Sequence, residues 1–208
     1  MSGYFITLEG IDGSGKTTQA ILLEKKLKNL GKKVLLTREP GGVKGAEKIR
    51  DLLVQGDTDR WSQVTETLLF FAARRHHLEK CILPSLNSGK LVICDRFTDS
   101  TLVYQGRKNV SLINLIKKLS ELAIGIEPDL TLIINADPQK SLNRGLKRTS
   151  NETRFEMLGL KFQEEAKLRY EALAKNIDRC HIVDGNGGIE ETHQLLWKIV
   201  SNNLRLQP

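Results

Sequence analysis

A chain of 208 residues, 39% hydrophobic and 27% charged, has apolar material for one sizeable core and the charge content of a soluble globular protein. No run of about 18 apolar residues is present, which argues against a transmembrane helix, and MSGYFITLEG lacks the basic and apolar regions of a signal peptide, so a cytoplasmic protein is expected. The surplus of 32 lysines and arginines over 25 acidic residues, +7, fits either a nucleic-acid surface or sites for small phosphorylated ligands.

The three cysteines, Cys81, Cys94 and Cys180, are odd in number and lack CxxC spacing. A reducing compartment is expected, with neither a disulfide framework nor a zinc site.

Along the chain, short apolar runs alternate with longer helical patterns. The first run, Tyr4–Leu8, reads as a strand and leads into GIDGSGKTT. Gly10, Gly15, Lys16 and Thr17 fit the phosphate-loop pattern, with Ile11, Asp12, Gly13 and Ser14 at its variable positions. The glycines let successive N–H groups point at phosphate oxygens. Lys16 reaches the outer phosphates and Thr17 suits Mg²⁺. The helix that follows, Thr17–Leu30 with Thr18 in its first turn, favours an anion at its N-terminus. The lysines of EKKLKNLGKK read as its solvated face.

A second strand, Val34–Thr37, runs into TREPGG and aims Arg38 and Glu39 at the carboxyl edge of the sheet. The helix Gly45–Gln55 carries Arg50. In the long helix Ser62–Ser88, Val64, Leu68, Phe71, Leu78 and Ile82 fall on one stripe at 100° per residue and read as core, with Arg75 an anomaly within it. Phe70, Arg74 and His77 lie on another face, roughly 100° around. Phe71 is therefore a core residue, while periodicity leaves Phe70 open between a second core contact and a ligand contact. His76 and His77 have no partner at metal-ligand spacing and read as surface or packing residues.

The third strand, Leu91–Cys94, delivers Asp95 to the same edge. An acid there could cap a helix or pair with Arg96, but behind a phosphate loop a magnesium role is favoured. Helices Ser111–Ala123, Pro138–Lys147, Phe155–Asn176 and Ile189–Asn203 alternate with strands Leu130–Ile134 and His181–Val183. Strands without polar alternation belong to a parallel sheet covered on both faces, so the order implies one doubly wound α/β domain over residues 1–208. Arg38, Arg50 and Arg96, all beyond the nucleotide loop, call for a second anionic substrate. The polar stretch from Asn143 to Arg154 reads as a surface loop.

EGIDGSGKTT, TREPGG, ETLLFFAARR, DRFTDSTLVYQG and PDLTLIINADP occur in the order and spacing of thymidylate kinase motifs, and the chain resembles that family over nearly its whole length. The resemblance implies the P-loop nucleoside-monophosphate-kinase fold, a five-stranded parallel sheet with helices on both faces. It also implies transfer of the ATP γ-phosphate to dTMP in dTTP synthesis, with Mg²⁺, by a homodimer that has no nucleic-acid or membrane partner.

Residue by residue, the resemblance puts Asp12 near the acceptor sugar and Glu39 near the acceptor or the metal. Arg38, Arg50 and Arg96 would hold the acceptor phosphate. Phe70 would stack on thymine, Arg74 and Gln105 would bind its edge, Ser100 and Thr101 would line its pocket, and Tyr104 would lie under the sugar. DRF stands where DRY is more usual, which removes one possible hydrogen bond.

With no arginine among the variable loop positions, the chain resembles the form of the family whose lid, here about 143–154, supplies the transition-state cation. Arg148 and Arg154 are the candidates, acting with Lys16, Asp12 and Arg96. Arg144 would flank adenine, and the backbone of DGNGG, Asp184 to Gly188, would close that side. Another nucleotide or deoxynucleoside kinase, or an ATP-dependent nucleic-acid-binding protein, remains the alternative.

Overall fold

The computed structural model describes residues 3–147 and 154–206, apart from the side chain of Glu156. Its centre is a five-stranded sheet in the order β2-β3-β1-β4-β5, formed by β1 (Tyr4–Glu9), β2 (Val34–Arg38), β3 (Leu91–Asp95), β4 (Leu130–Asn135) and β5 (Cys180–Asp184). All four pairings are parallel. Each strand runs one residue past its apolar run, and the added residue is polar: Glu9, Arg38, Asp95, Asn135 or Asp184. Apolar content marks where a strand is sandwiched, whereas the hydrogen-bonded ladder continues to the edge where ligands bind in open α/β sheets.

Side chains of successive strand residues point to opposite faces. Ile6, Leu8, Ile93, Leu132 and Ile134 pack on α1 (Lys16–Asn29) and α9 (Ile189–Asn203) through Leu23, Leu27, Leu196 and Val200. On the other face Phe5, Val92 and Cys94 meet α3 (Gln63–His77) and α6 (Val110–Leu119). Ile133 meets Phe162, Ala166 and Tyr170 of α8 (Gly159–Asn176). The expected layers of helix, sheet and helix are present.

The long helix expected over Ser62–Ser88 is α3, one π-helical turn (Leu78–Ile82) and α4 (Leu83–Asn87). Pro84 has no N–H and its ring clashes with the carbonyl four residues back, so an unbroken α-helical ladder through it is disfavoured. α2 (Lys44–Val54) packs along α3. The expected core stripe holds for Phe71, Leu78 and Ile82 but not for Val64 and Leu68, each 48% exposed. The first turns of α3 instead bury Glu66 and Thr67, because Glu66 is held by Gln105 and Arg154. Arg75 resolves the anomaly in that stripe by leaving the core, reaching Glu79 and the Ala123 carbonyl.

Two further helices are α5 (Thr98–Thr101) and α7 (Pro138–Leu146). α5, continued by a π-helical turn over Leu102–Gly106, has no counterpart in the sequence reading. Its four residues, Thr98, Asp99, Ser100 and Thr101, carry no apolar pattern, and Asp99 pairs with Arg179 at 2.6 Å.

Candidate active site

The loop between β1 and α1 owes its path to glycine. Gly10 has φ +137 and Gly13 φ +76, and a Cβ would stand 2.6 Å from the Ile134 carbonyl oxygen at the first and 2.0 Å from that of Ser141 at the second. Gly15 caps α1 with φ 99 and no side chain caps the helix. The first-turn N–H groups, with the helix dipole behind them, are thus left for an anion.

Lys16 is buried and donates to the carbonyls of Gly10 (3.0 Å) and Ile11 (2.8 Å). Burial and then Arg96 push its pKa down to about 8, against the pull of Asp95, Asp12 and Glu9. Thr17 Oγ1 donates to Asp95 Oδ2 at 2.5 Å. A hydroxyl and a carboxylate at the phosphate loop are the hard oxygen donors that Mg²⁺ requires.

A cavity of about 430 Å³ opens beside this loop. Its lining includes Asp12, Lys16, Thr17 and Asp95 from the nucleotide side. From the other elements come Arg38, Glu39, Arg50, Phe70, Arg74, Arg96, Ser100, Thr101, Tyr104 and Gln105. All the residues expected around the acceptor therefore converge on one space.

Arg74 is the most elaborately held of them. It lies between the rings of Phe71 and Phe97, 5.1 and 5.3 Å from their centroids. Nε donates to Glu39 Oε2 at 2.6 Å, and Nη2 donates to the Phe97 carbonyl (3.0 Å) and Thr101 Oγ1 (3.1 Å). Glu39 places its other oxygen 3.1 Å from His77 Nδ1, and His77 Nε2 meets Thr37 Oγ1 at 2.7 Å. Burial lowers the His77 pKa, but hydrogen bonds to Cys81 and Glu39 outweigh it and raise the value to about 9. His77, expected at the surface or in packing, is instead a buried member of this network. Glu39 spends its oxygens on Arg74 and His77.

Two buried polar atoms on cavity-lining residues have no partner among the described residues: Arg74 Nη1 and Gln105 Oε1. The amide nitrogen of Gln105 donates to Glu66 Oε1 at 2.7 Å, which orients the oxygen. A native fold rarely strands a donor and an acceptor, and both belong to residues that line one cavity.

Arg96 adopts φ 74, the left-handed region that a non-glycine residue seldom takes. Its Nη2 donates to Asp12 Oδ1 at 2.6 Å and Tyr104 OH at 3.3 Å, and Nη1 to Ser100 Oγ (2.8 Å) and Tyr170 OH (3.3 Å). Burial opposes ionisation of Asp12, but Arg96, Lys16 and a hydrogen bond from Tyr104 outweigh it and hold its pKa below the usual range. Arg38 pairs with Glu47 at 3.1 Å, and Arg50 Nη1 donates to the Pro40 carbonyl at 2.6 Å.

Phe70 is half-buried on the cavity wall and tilted on Phe155, with centroids 6.1 Å apart, whereas Phe71 is core. Phe70 thus lines the cavity and Phe71 does not. Phe97, in place of the usual tyrosine, stacks edge-on against Phe5 at 5.0 Å.

A second, smaller cavity lies between Lys140, Asn143 and Arg144 of α7 and Gly185–Asn186 after β5, the two segments expected around adenine. Arg154 does not reach the phosphate loop. Its guanidinium is buried against Glu66 and donates to the carbonyls of Leu53 (3.0 Å), Asp57 (2.9 Å) and Thr58 (3.0 Å). A buried carboxylate and three carbonyls outcompete the loop for this cation. Arg148 and most of the expected lid lie outside the described residues.

The sequence reading missed Glu9, Glu66 and Tyr170. Glu9 is the polar end of β1, and burial and the nearby Asp99 raise its pKa to about 7 against Arg96, Ser100 and the Phe97 N–H. Its signal was position alone: a buried strand that ends in an acid beside a phosphate loop.

A family model described as thymidylate kinase matches residues 8–196. The thymidylate kinase of Jannaschia sp. (strain CCS1) is 52% identical over 205 residues, 98% of this chain and 99% of that protein. That of Dinoroseobacter shibae is 55% identical over 185 residues, covering 88% and 89%. The crystal structure of thymidylate kinase from Ehrlichia chaffeensis superposes with a TM-score of 0.74 at 37% identity, covering 97% of this chain and 99% of the other.

Proposed function

The chain belongs to the thymidylate kinase family, and from that premise we propose that it transfers the γ-phosphoryl group of ATP to dTMP, giving ADP and dTDP. The observation that carries the reading is the pair of unpartnered atoms, Arg74 Nη1 and Gln105 Oε1. Thymine offers a carbonyl acceptor at O4 beside an N3–H donor, which complements this donor and acceptor. Cytosine reverses both, with an amino donor and a ring-nitrogen acceptor. Phe70 supplies a ring face for the base, and Tyr104 lies where the sugar would rest.

The acceptor phosphate is held by Arg38, Arg50 and Arg96 and is already anionic at neutral pH, so its oxygen attacks the γ-phosphorus without a general base. The bond from the γ-phosphorus to the ADP oxygen breaks in line with that attack. Residues Gly10 to Thr18 bind the donor phosphates, Lys16 neutralises the charge that develops, and Arg144 flanks adenine. Asp12, near the acceptor sugar, orients Arg96 through their ion pair. Thr17 and Asp95 would hold Mg²⁺, which when bound neutralises charge on the β- and γ-phosphates. Arg148 is the remaining lid candidate for the transition-state cation, within one domain spanning 1–208 with a lid at about 143–154.

Among the described residues no helix is long and apolar enough to cross a membrane, and the cysteines are free, which supports a cytoplasmic enzyme. Val64 and Leu68 on α3 are half-exposed, and Val110 on the neighbouring α6 is 70% exposed. These support a homodimer through helices, for which Leu68→Glu should give a monomer in sedimentation velocity.

Offering nucleosides and nucleoside monophosphates as acceptors and measuring ADP release tests the activity. Turnover with dTMP is expected. ATP turnover stimulated by DNA and not by dTMP would overturn the reading.

A further inference from the structure

Among the described residues the Glu9 side chain makes no hydrogen bond to the phosphate loop; its bonds go to Phe97, Ser100 and Tyr170. Oε1 accepts the Phe97 N–H at 2.7 Å, and Oε2 accepts Ser100 Oγ at 2.5 Å and Tyr170 OH at 3.0 Å. When Glu9 is ionised it takes both protons, and the two hydroxyls, 3.0 Å from each other, present lone pairs elsewhere. Arg96 Nη1 donates to both, at 2.8 and 3.3 Å. The same carboxylate grips the peptide that follows Arg96, whose φ of 74 persists only where the surrounding structure over-determines it. The Arg96 N–H adds a second anchor on the Leu8 carbonyl at 2.9 Å.

We propose that Glu9 is a positioning residue for Arg96. By fixing the direction of two hydroxyl protons and the backbone at Phe97, it aims the guanidinium at the acceptor phosphate. The proposal rests on the reading of Arg96 as a ligand of that phosphate. Tyr170 and Ser100 are the two arms of the relay, one from α8 and one from α5. No proton or phosphoryl group passes through Glu9.

Glutamine at position 9 separates this role from space-filling. An amide has one acceptor oxygen where the carboxylate has two. If the amide nitrogen faces Ser100 and Tyr170, their protons turn toward Arg96, donor against donor. If it faces Phe97, it meets the N–H and disturbs the Arg96–Phe97 peptide. Either orientation misdirects Arg96.

The test measures dTMP and ATP dissociation constants by calorimetry for Glu9→Gln, Arg96→Ala and the double variant. Glu9→Gln should weaken dTMP roughly 10- to 100-fold, the scale of a lost charge-assisted hydrogen bond, and leave ATP within about twofold. In the Arg96→Ala background it should weaken dTMP no further, because residues that act through one contact are not additive. Unchanged dTMP affinity, an equal loss for ATP, or effects that multiply in the double variant would overturn the proposal. If Arg96→Ala itself leaves dTMP binding intact, the assignment of Arg96 falls and this proposal with it. Tyr170→Phe, which keeps the ring and removes one arm, should weaken dTMP roughly 2- to 10-fold; no change there would count against the relay even if Glu9→Gln did not fold.

Discussion

The acceptor end and the donor end of the site are built on different plans. Around the acceptor, side chains that follow β2 and β3, with those of α3, the π-helical turn after α5 and Asp12 of the phosphate loop, are largely withdrawn from solvent and bonded to one another, as in the Arg74–Glu39–His77 and Arg96–Asp12–Tyr104 sets. Around the donor, the groups are backbone N–H groups, one buried lysine, the exposed Thr17 and Thr18, and a shallow cleft at Arg144. Directional recognition of a base needs donors and acceptors held before the ligand arrives, and only buried networks hold them. A phosphate chain is recognised by charge and by amides that any sequence supplies, so glycine geometry suffices. On the proposed function, the acceptor end selects, while the donor end holds phosphate.

The largest expected effect lies at the donor end. Lys16→Ala should lower kcat by roughly 10²- to 10³-fold with a far-UV spectrum like the parent's; near-normal turnover would remove the phosphate-loop assignment.

Arg148 and Arg154 sharpen the contrast next. Arg154→Ala leaves Glu66 buried without its cation and should destabilise by about 3–5 kcal/mol in urea unfolding. Arg148→Ala should leave the midpoint alone and lower kcat by roughly 10²-fold. The reverse pattern would return the catalytic role to Arg154.

The adjacent phenylalanines divide the same way. Phe71→Ala should destabilise by about 3–5 kcal/mol. Phe70→Ala should raise the dTMP KM with little change in melting temperature. Early melting in Phe70→Ala with dTMP binding intact would return that ring to the core.

The smallest effect is pH dependence at His77. Its folded pKa, about 9, lies above the ordinary 6.5, so its stabilisation is complete below about pH 6.5 and is lost as pH rises through about 9. Melting temperature should fall across that window, and His77→Gln should flatten this part of the profile. An equal slope in the variant would place the titration elsewhere.

The helix, sheet and helix layers, the phosphate loop and the convergence of arginines at the carboxyl edge were all legible in the residues, because burial and glycine leave local marks. The 100° geometry separated Phe70 from Phe71 for the same reason. What escaped were pairings across the chain. Nothing near Glu66 announces Arg154, 88 residues away, and the histidine set aside at position 77 acquires its role from Glu39, 38 residues earlier. The half-exposed Val64 and Leu68 show the same limit, since periodicity finds an apolar stripe without saying what covers it.

If Arg74 Nη1 and Gln105 Oε1 read thymine as proposed, the ratio of kcat/KM for dTMP over dCMP shows it. Cytosine leaves a buried donor and a buried acceptor each facing its own kind, at about 1–3 kcal/mol apiece, so the ratio should be roughly 30-fold or more. Comparable kcat/KM for dCMP and dTMP would contradict the account.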